Sequence, residues 1–92
     1  MAILEIWEKR VVEEQDYDIN FAPWLKGLSD TIAEYEVIVP DGLTKLASSV
    51  SGPRVKVWVK GGTVGTRYKI TYRITTVGGR IKEDDIAIDI IG

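Results

Sequence analysis

The chain has 92 residues, 45% of them hydrophobic and 28% charged, with a formal net charge of −2. That length allows one domain burying only about 60–65% of its unfolded surface, which leaves no volume for a deep internal active site. Cysteine and histidine are both absent, excluding disulfides, thiolate nucleophiles, nitrogen–sulfur zinc sites and the one side chain that ordinarily titrates near neutral pH.

The chain opens Met1-Ala2-Ile3-Leu4-Glu5-Ile6-Trp7-Glu8. Its apolar run is broken by Glu5 and is too short for a signal sequence, and no later run approaches the roughly 20 apolar residues of a membrane span. A soluble protein made in the cytoplasm is expected, with no membrane partner. Residues 1–14 read as an N-terminal arm, in which Glu8 to Gln15 could be a short helix or extended. Residues 15–92 read as the folded domain.

Period-two alternation then begins. Tyr17, Ile19 and Phe21 alternate with Asp18 and Asn20. Pro23 to Asp30 reads as a loop with room for one helical turn. Ala33, Tyr35, Val37 and Val39 alternate with Glu34, Glu36 and Ile38, and Pro40-Asp41-Gly42 closes that strand. Leu43, Leu46, Ala47 and Val50 fit a helical stripe, but the segment is short and serine-rich, and an irregular strand is the preferred reading. Ser51-Gly52-Pro53 marks a turn. Val55, Val57 and Val59 alternate with Arg54, Lys56, Trp58 and Lys60. Gly61-Gly62-Thr63-Val64-Gly65 is read as a hairpin loop. Tyr68, Ile70, Tyr72 and Ile74 alternate with Lys69, Thr71, Arg73 and Thr75, and Gly78-Gly79 is read as a two-residue turn. Ile86, Ile88 and Ile90 form the last strand. Alternating β-branched and aromatic residues suit a pleated surface buried on one side. About seven short strands without long helices predict an all-β, immunoglobulin-like antiparallel β-sandwich.

Charge is segregated along the chain. Arg54 to Lys82 holds eight basic residues and no acid; ten of the fourteen acids precede Pro53 and four follow Lys82. The stretch invites a nucleic-acid reading, with Trp58 between Lys56 and Lys60 as a stacking platform. Pairing with acids on neighbouring strands, for which Glu34, Glu36, Asp85 and Asp89 are available, is the preferred alternative.

The chemical motifs are weak. The glycine run is followed by a strand, whereas a phosphate loop needs a helix N-terminus. Glu83-Asp84-Asp85 could ligate calcium with Asp16 and Asp18, but reads better as a solvated turn. Serines lack a histidine base and no carboxylate pair stands out. No catalytic residue, cofactor or metal is expected. Seven residues are candidates for an interface: Trp58, Lys56, Lys60, Arg67, Arg73, Trp7 and Trp24. If the valines around it face the core, Trp58 faces out, either covered by a loop or arm or serving as an interface anchor. Trp7 and Trp24 read as caps on the open ends of the sandwich.

The landmarks, taken in order, resemble a family of small tailed-bacteriophage and prophage virion structural proteins. They are Trp7 and Lys9; Asp16-Tyr17-Asp18-Ile19-Asn20-Phe21; Trp24-Leu25; Asp30-Thr31-Ile32; Gly42-Leu43; Val55 to Tyr68; and Ile74-Thr75-Thr76-Val77-Gly78-Gly79-Arg80. The chain departs from the pattern at Glu8, where proline is frequent, and at Val77-Gly78-Gly79. The resemblance implies a head–tail, tail or fibre-adaptor component with an immunoglobulin-like fold. It would be made in the bacterial cytoplasm, lie in the virion and contact other phage structural proteins, with a homo-oligomer as one arrangement. Docking through a Trp58–Lys60–Arg67–Arg73 surface or through the arm, Met1 to Glu14, is the expected mechanism. A free-standing module for carbohydrate, cell-surface or nucleic-acid recognition is the competing class.

Overall fold

In the computed structural model, which describes residues 3–92, the alternation seen in sequence becomes burial. In β5 (Arg54–Gly61), Val55, Val57 and Val59 are fully enclosed, and in β6 (Arg67–Thr76) so are Ile70, Tyr72 and Ile74. These strands sit in different sheets. One sheet has the order β1 (Ile3–Arg10), β7 (Ile81–Ile91), β6, β3 (Ile32–Ile38); the other runs β2 (Gln15–Asn20), β5, β4 (Leu43–Ser51). Tyr17, Ile19, Val37, Leu43, Ile86, Ile88 and Ile90 join the same apolar cluster, so the inner faces of both sheets close on one core.

The partition is that of a constant-type immunoglobulin domain for six strands: β2, β5 and β4 occupy places B, E and D, and β3, β6 and β7 occupy C, F and G. The first strand departs from it. Instead of lying beside β2, β1 pairs in parallel with β7, from Ile3 opposite Asp85 to Arg10 opposite Ile91. The sandwich is therefore mixed rather than wholly antiparallel. Over Ile3–Arg10 the segment expected as an arm is an edge strand; Met1 and Ala2 lie outside the described residues.

Polar bonds lock the sheets together. Lys9 is completely buried; its ammonium donates to the carbonyls of Arg10 (2.8 Å), Val11 (3.4 Å) and, across the sandwich at the end of β5, Gly61 (2.8 Å). Burial holds its pKa below the ordinary lysine value. The Tyr72 hydroxyl donates to the Tyr17 carbonyl on the opposite sheet at 2.7 Å. Burial raises its pKa, keeping the donor proton in place. The Tyr68 hydroxyl, near the start of β6, accepts from the Thr63 N–H at 2.9 Å, the position of the tyrosine corner in immunoglobulin sandwiches.

Three connections differ from the sequence reading. Gly61 to Gly65 is not a hairpin loop: β5 and β6 lie in different sheets, and the segment carries the chain across the end of the sandwich. Gly62 has φ 100°, and a Cβ there would stand 2.6 Å from Ile90. Second, the β6–β7 turn holds three residues, not two. Thr76 and Arg80 are bonded (N···O 2.8 Å) across Val77, Gly78 and Gly79, and Gly79 takes φ 89°. Third, Glu83-Asp84-Asp85 lies within β7 rather than in a turn. The ambiguous Leu43–Ser51 segment is a strand with a bulge between Lys45 and Ala47, and the loop after β2 contains α1 (Ala22–Lys26), which buries Leu25. Among the described residues no helix is long and apolar enough to cross a membrane.

Lys9→Met keeps most of the stem but removes the buried ammonium that ties the carbonyls of Arg10 and Val11 to that of Gly61. It is expected to cost about 1–3 kcal/mol in urea unfolding at unchanged m; no loss would mean the tie contributes nothing. Gly62→Ala is expected to destabilise by about 2 kcal/mol or more, because it combines a left-handed backbone with a steric clash. Gly27→Ala, where nothing lies within 4 Å, is expected to be neutral or slightly stabilising.

Candidate docking face

The outer face of the three-stranded sheet is set by the same alternation that buries the valines. Because Val55, Val57 and Val59 point inward, Arg54, Lys56, Trp58 and Lys60 point outward. In register beside them lie Asp16, Asp18 and Asn20 of β2, and Thr44, Ala47, Ser49 and Ser51 of β4. Trp58 stands opposite Asp16 on one side and Ala47 on the other. These two cross-strand neighbours are short, and among the described residues Trp58 remains 41% exposed.

The basic stretch of the sequence is neutralised by the folded register. Arg54 pairs with Asp18 (3.1 Å) and Lys56 with Asp16 (3.5 Å), both diagonally across β2 and β5. On the other sheet Arg67 pairs with Asp89 (2.6 Å), its direct cross-strand neighbour. That contact raises the Arg67 pKa and holds Asp89 below its ordinary value. Arg73 lies between Glu36 (3.0 Å) and Glu83 and is raised chiefly by its bond to Glu83. Arg80 pairs with Asp30 (2.9 Å) and Lys82 with Asp84 (3.8 Å). Of the eight basic residues from Arg54 to Lys82, only Lys60 and Lys69 make no ion pair among the described residues, and they lie on opposite faces of the sandwich. A continuous cationic track for a phosphate backbone does not form.

The seven sequence candidates therefore do not share one surface. Lys56, Trp58 and Lys60 share the outer face of the small sheet, whereas Arg67 and Arg73 lie on the outer face of the large one. The Trp58–Lys60–Arg67–Arg73 surface is thus two opposed patches, and the arginines of one are already committed to carboxylates. Trp7, on edge strand β1, leans on Tyr17 at 5.8 Å between ring centroids yet stays 45% exposed. It borders a hollow of about 320 Å³ with Glu8, Glu13, Gln15, Asp16 and Asp18. Trp24 packs against the end of the core, with the Lys82 ammonium 5.8 Å above its ring.

Other chemistry is absorbed by structure. In the glycine-rich crossing, the Thr63 N–H serves Tyr68 and the Gly65 N–H serves the Ile90 carbonyl (2.8 Å). Asp85 is 1% exposed and accepts from the Thr71 hydroxyl at 2.8 Å. Among the described residues no three carboxylates converge on a metal position. Sequence reasoning missed an open groove of about 530 Å³ where the free edges of β3 and β4 fail to meet. Its lining includes Ala22, Leu25, Ile32, Val50 and Pro53 together with the charged Lys26 and Asp30. No motif marks it, since its walls come from three separate stretches of the chain.

A family model described as "Podophage GP4 fiber-tail adaptor protein gp77" matches residues 9–89. No match is found among curated proteins.

At the groove, Asp30 braces the β6–β7 turn. Its pKa is lowered from 3.8 to about 2, first by the Thr76 hydroxyl, then by the N–H groups of Gly78 and Thr31 and by Arg80. A carboxyl lowered by folding adds stability above its unfolded value and loses it as pH falls through the folded one. Thermal stability should therefore drop between pH 3.8 and about 2, and Asp30→Asn should flatten that drop while lowering the melting temperature at neutral pH. Equal acid slopes for the two proteins would show that Asp30 is not the titrating brace.

Proposed function

We propose, from the premise that this chain belongs to the podophage GP4 fiber-tail adaptor gp77 family, that it is a non-enzymatic virion component. It joins neighbouring phage structural proteins through the outer face of its three-stranded sheet. The observation that carries this reading is Trp58. A tryptophan left 41% exposed on the central strand of a sheet's outer face, with the short side chains of Ala47 and Asp16 opposite it, has the makeup of a hot-spot anchor. A partner side chain can reach it over Ala47 and Ser49 without displacing a long neighbour.

Lys60 supplies direction. It makes no ion pair among the described residues, and its cross-strand neighbour is Thr44. A lone cation at the margin of an aromatic anchor favours an acidic rim on the partner, speeding correct encounters and rejecting basic surfaces. Lys56 is held by Asp16 and serves mainly to position the Trp58 flank.

The test is incorporation into particles assembled from a genome lacking the native copy of the gene. Trp58→Ala is expected to lower incorporation at least about tenfold, in keeping with an anchor worth roughly 2 kcal/mol. Lys60→Glu is expected to slow association, with the defect shrinking at high salt. Lys69→Glu, on the opposite face, should behave as wild type. Full incorporation of Trp58→Ala would remove the face from consideration.

A further inference from the structure

The large exposed apolar side chains are not scattered. Six of the thirteen among the described residues, Ile3, Leu4, Ile6, Trp7, Val11 and Val12, fall on β1 and the turn after it. β1 is an edge strand, paired only with β7. An unblocked apolar edge is a template for strand addition. The same segment exposes Glu5, Glu8 and Glu14 with Glu13 half-buried, against one exposed cation, Arg10, because Lys9 is buried. This edge is apolar and acidic.

The sandwich has three other edges. β2 carries Asp16 and Asp18, and β3 carries Glu34 and Glu36, and neither strand holds a lysine or arginine to meet an acidic one. β4 holds no acid in Leu43–Ser51, and it exposes Lys45 together with the apolar Leu46 and Val50. Val50 also lines the open groove, whose walls are mostly apolar and include Lys26. Neither Lys45 nor Lys26 makes an ion pair among the described residues. The two edges match in length as well, eight residues for β1 and nine for β4.

We infer that the occupant of the β4 edge is β1 of a second copy of this chain, so that copies join head to tail. Main-chain bonds would extend the three-stranded sheet of one copy by the first strand of the next. Leu46 and Val50 would meet the Ile3–Ile6 apolar run, and Lys45 and Lys26 would face the glutamates. The contact is heterologous: a row of copies ends in a free β1 on one side and a free β4 on the other, so the assembly closes as a ring or grows as a filament. The inference rests on the adaptor reading only in supposing that several copies act together. It uses a different surface, since Trp58 lies on the sheet face and not at either edge.

The experiment is analytical ultracentrifugation of the full chain up to millimolar concentration, with two edge variants. Leu4→Asp/Ile6→Asp blocks β1 and Leu46→Asp/Val50→Asp blocks β4; far-UV circular dichroism and melting confirm that each folds. Where a double variant does not fold, the single changes Ile6→Asp and Leu46→Asp replace it. Wild type is expected to form species larger than a dimer, and each variant alone is expected to be monomeric. An equimolar mixture should give a heterodimer and nothing larger, because one intact β1 then meets one intact β4. A monomeric wild type overturns the inference. So does a variant that dimerises alone, because that contact would be isologous. Trp58→Ala should oligomerise as wild type, so failure of self-assembly and failure of partner docking are told apart.

Discussion

Everything in this molecule depends on the apolar contact between β5 and β6. Val55, Val57 and Val59 from one sheet meet Ile70, Tyr72 and Ile74 from the other, all without solvent exposure. A chain this short has no second core to fall back on. The inner faces are spent on closing the two sheets, and the polar ties of Lys9, Tyr68 and Tyr72 finish that closure without a disulfide. Chemistry available to other molecules is therefore confined to outer faces, edges and the open seam between β3 and β4.

The same contact decides what the outer faces display. Registering β6 against β7 and β3 brings Arg67 to Asp89, and Arg73 to Glu83 and Glu36. Registering β5 against β2 brings Arg54 and Lys56 to Asp18 and Asp16. Each pairing is modest on an exposed surface, yet together they cancel a charge pattern that looks pronounced along the chain. What survives among the described residues is sparse: an aromatic ring with the unpaired Lys60 and Lys45 on the small sheet, Lys69 on the large one, and an acidic apolar edge at β1. A surface with few features of its own, set on a rigid support, suits a part whose task is to stand between larger ones.

Lys9 shows how a motif residue can be misplaced by sequence alone. Trp7 and Lys9 form the first landmark of the resemblance, and both sit in a segment that reads as an N-terminal arm. The structure buries the lysine because three carbonyls converge where β1 ends and β5 leaves its sheet. Glu13 secures the same corner by accepting from the Arg10 N–H at 2.8 Å. A buried ammonium requires acceptors from distant parts of the chain, and their convergence leaves no local signature.

The amino-acid order by itself determined the β class, the inward and outward sides of β2, β5 and β6, the outward stance of Trp58 and the absence of sulfur and imidazole chemistry. Strand periodicity and composition are local properties, so they can be read residue by residue. Only the tertiary structure decided that β1 joins β7 in parallel, that Gly61 to Gly65 crosses between sheets, and that Arg67 and Arg73 face away from Trp58. It also decided that a groove opens beside β4. Those outcomes depend on which strands become neighbours, and that choice is made by the packing of the whole core.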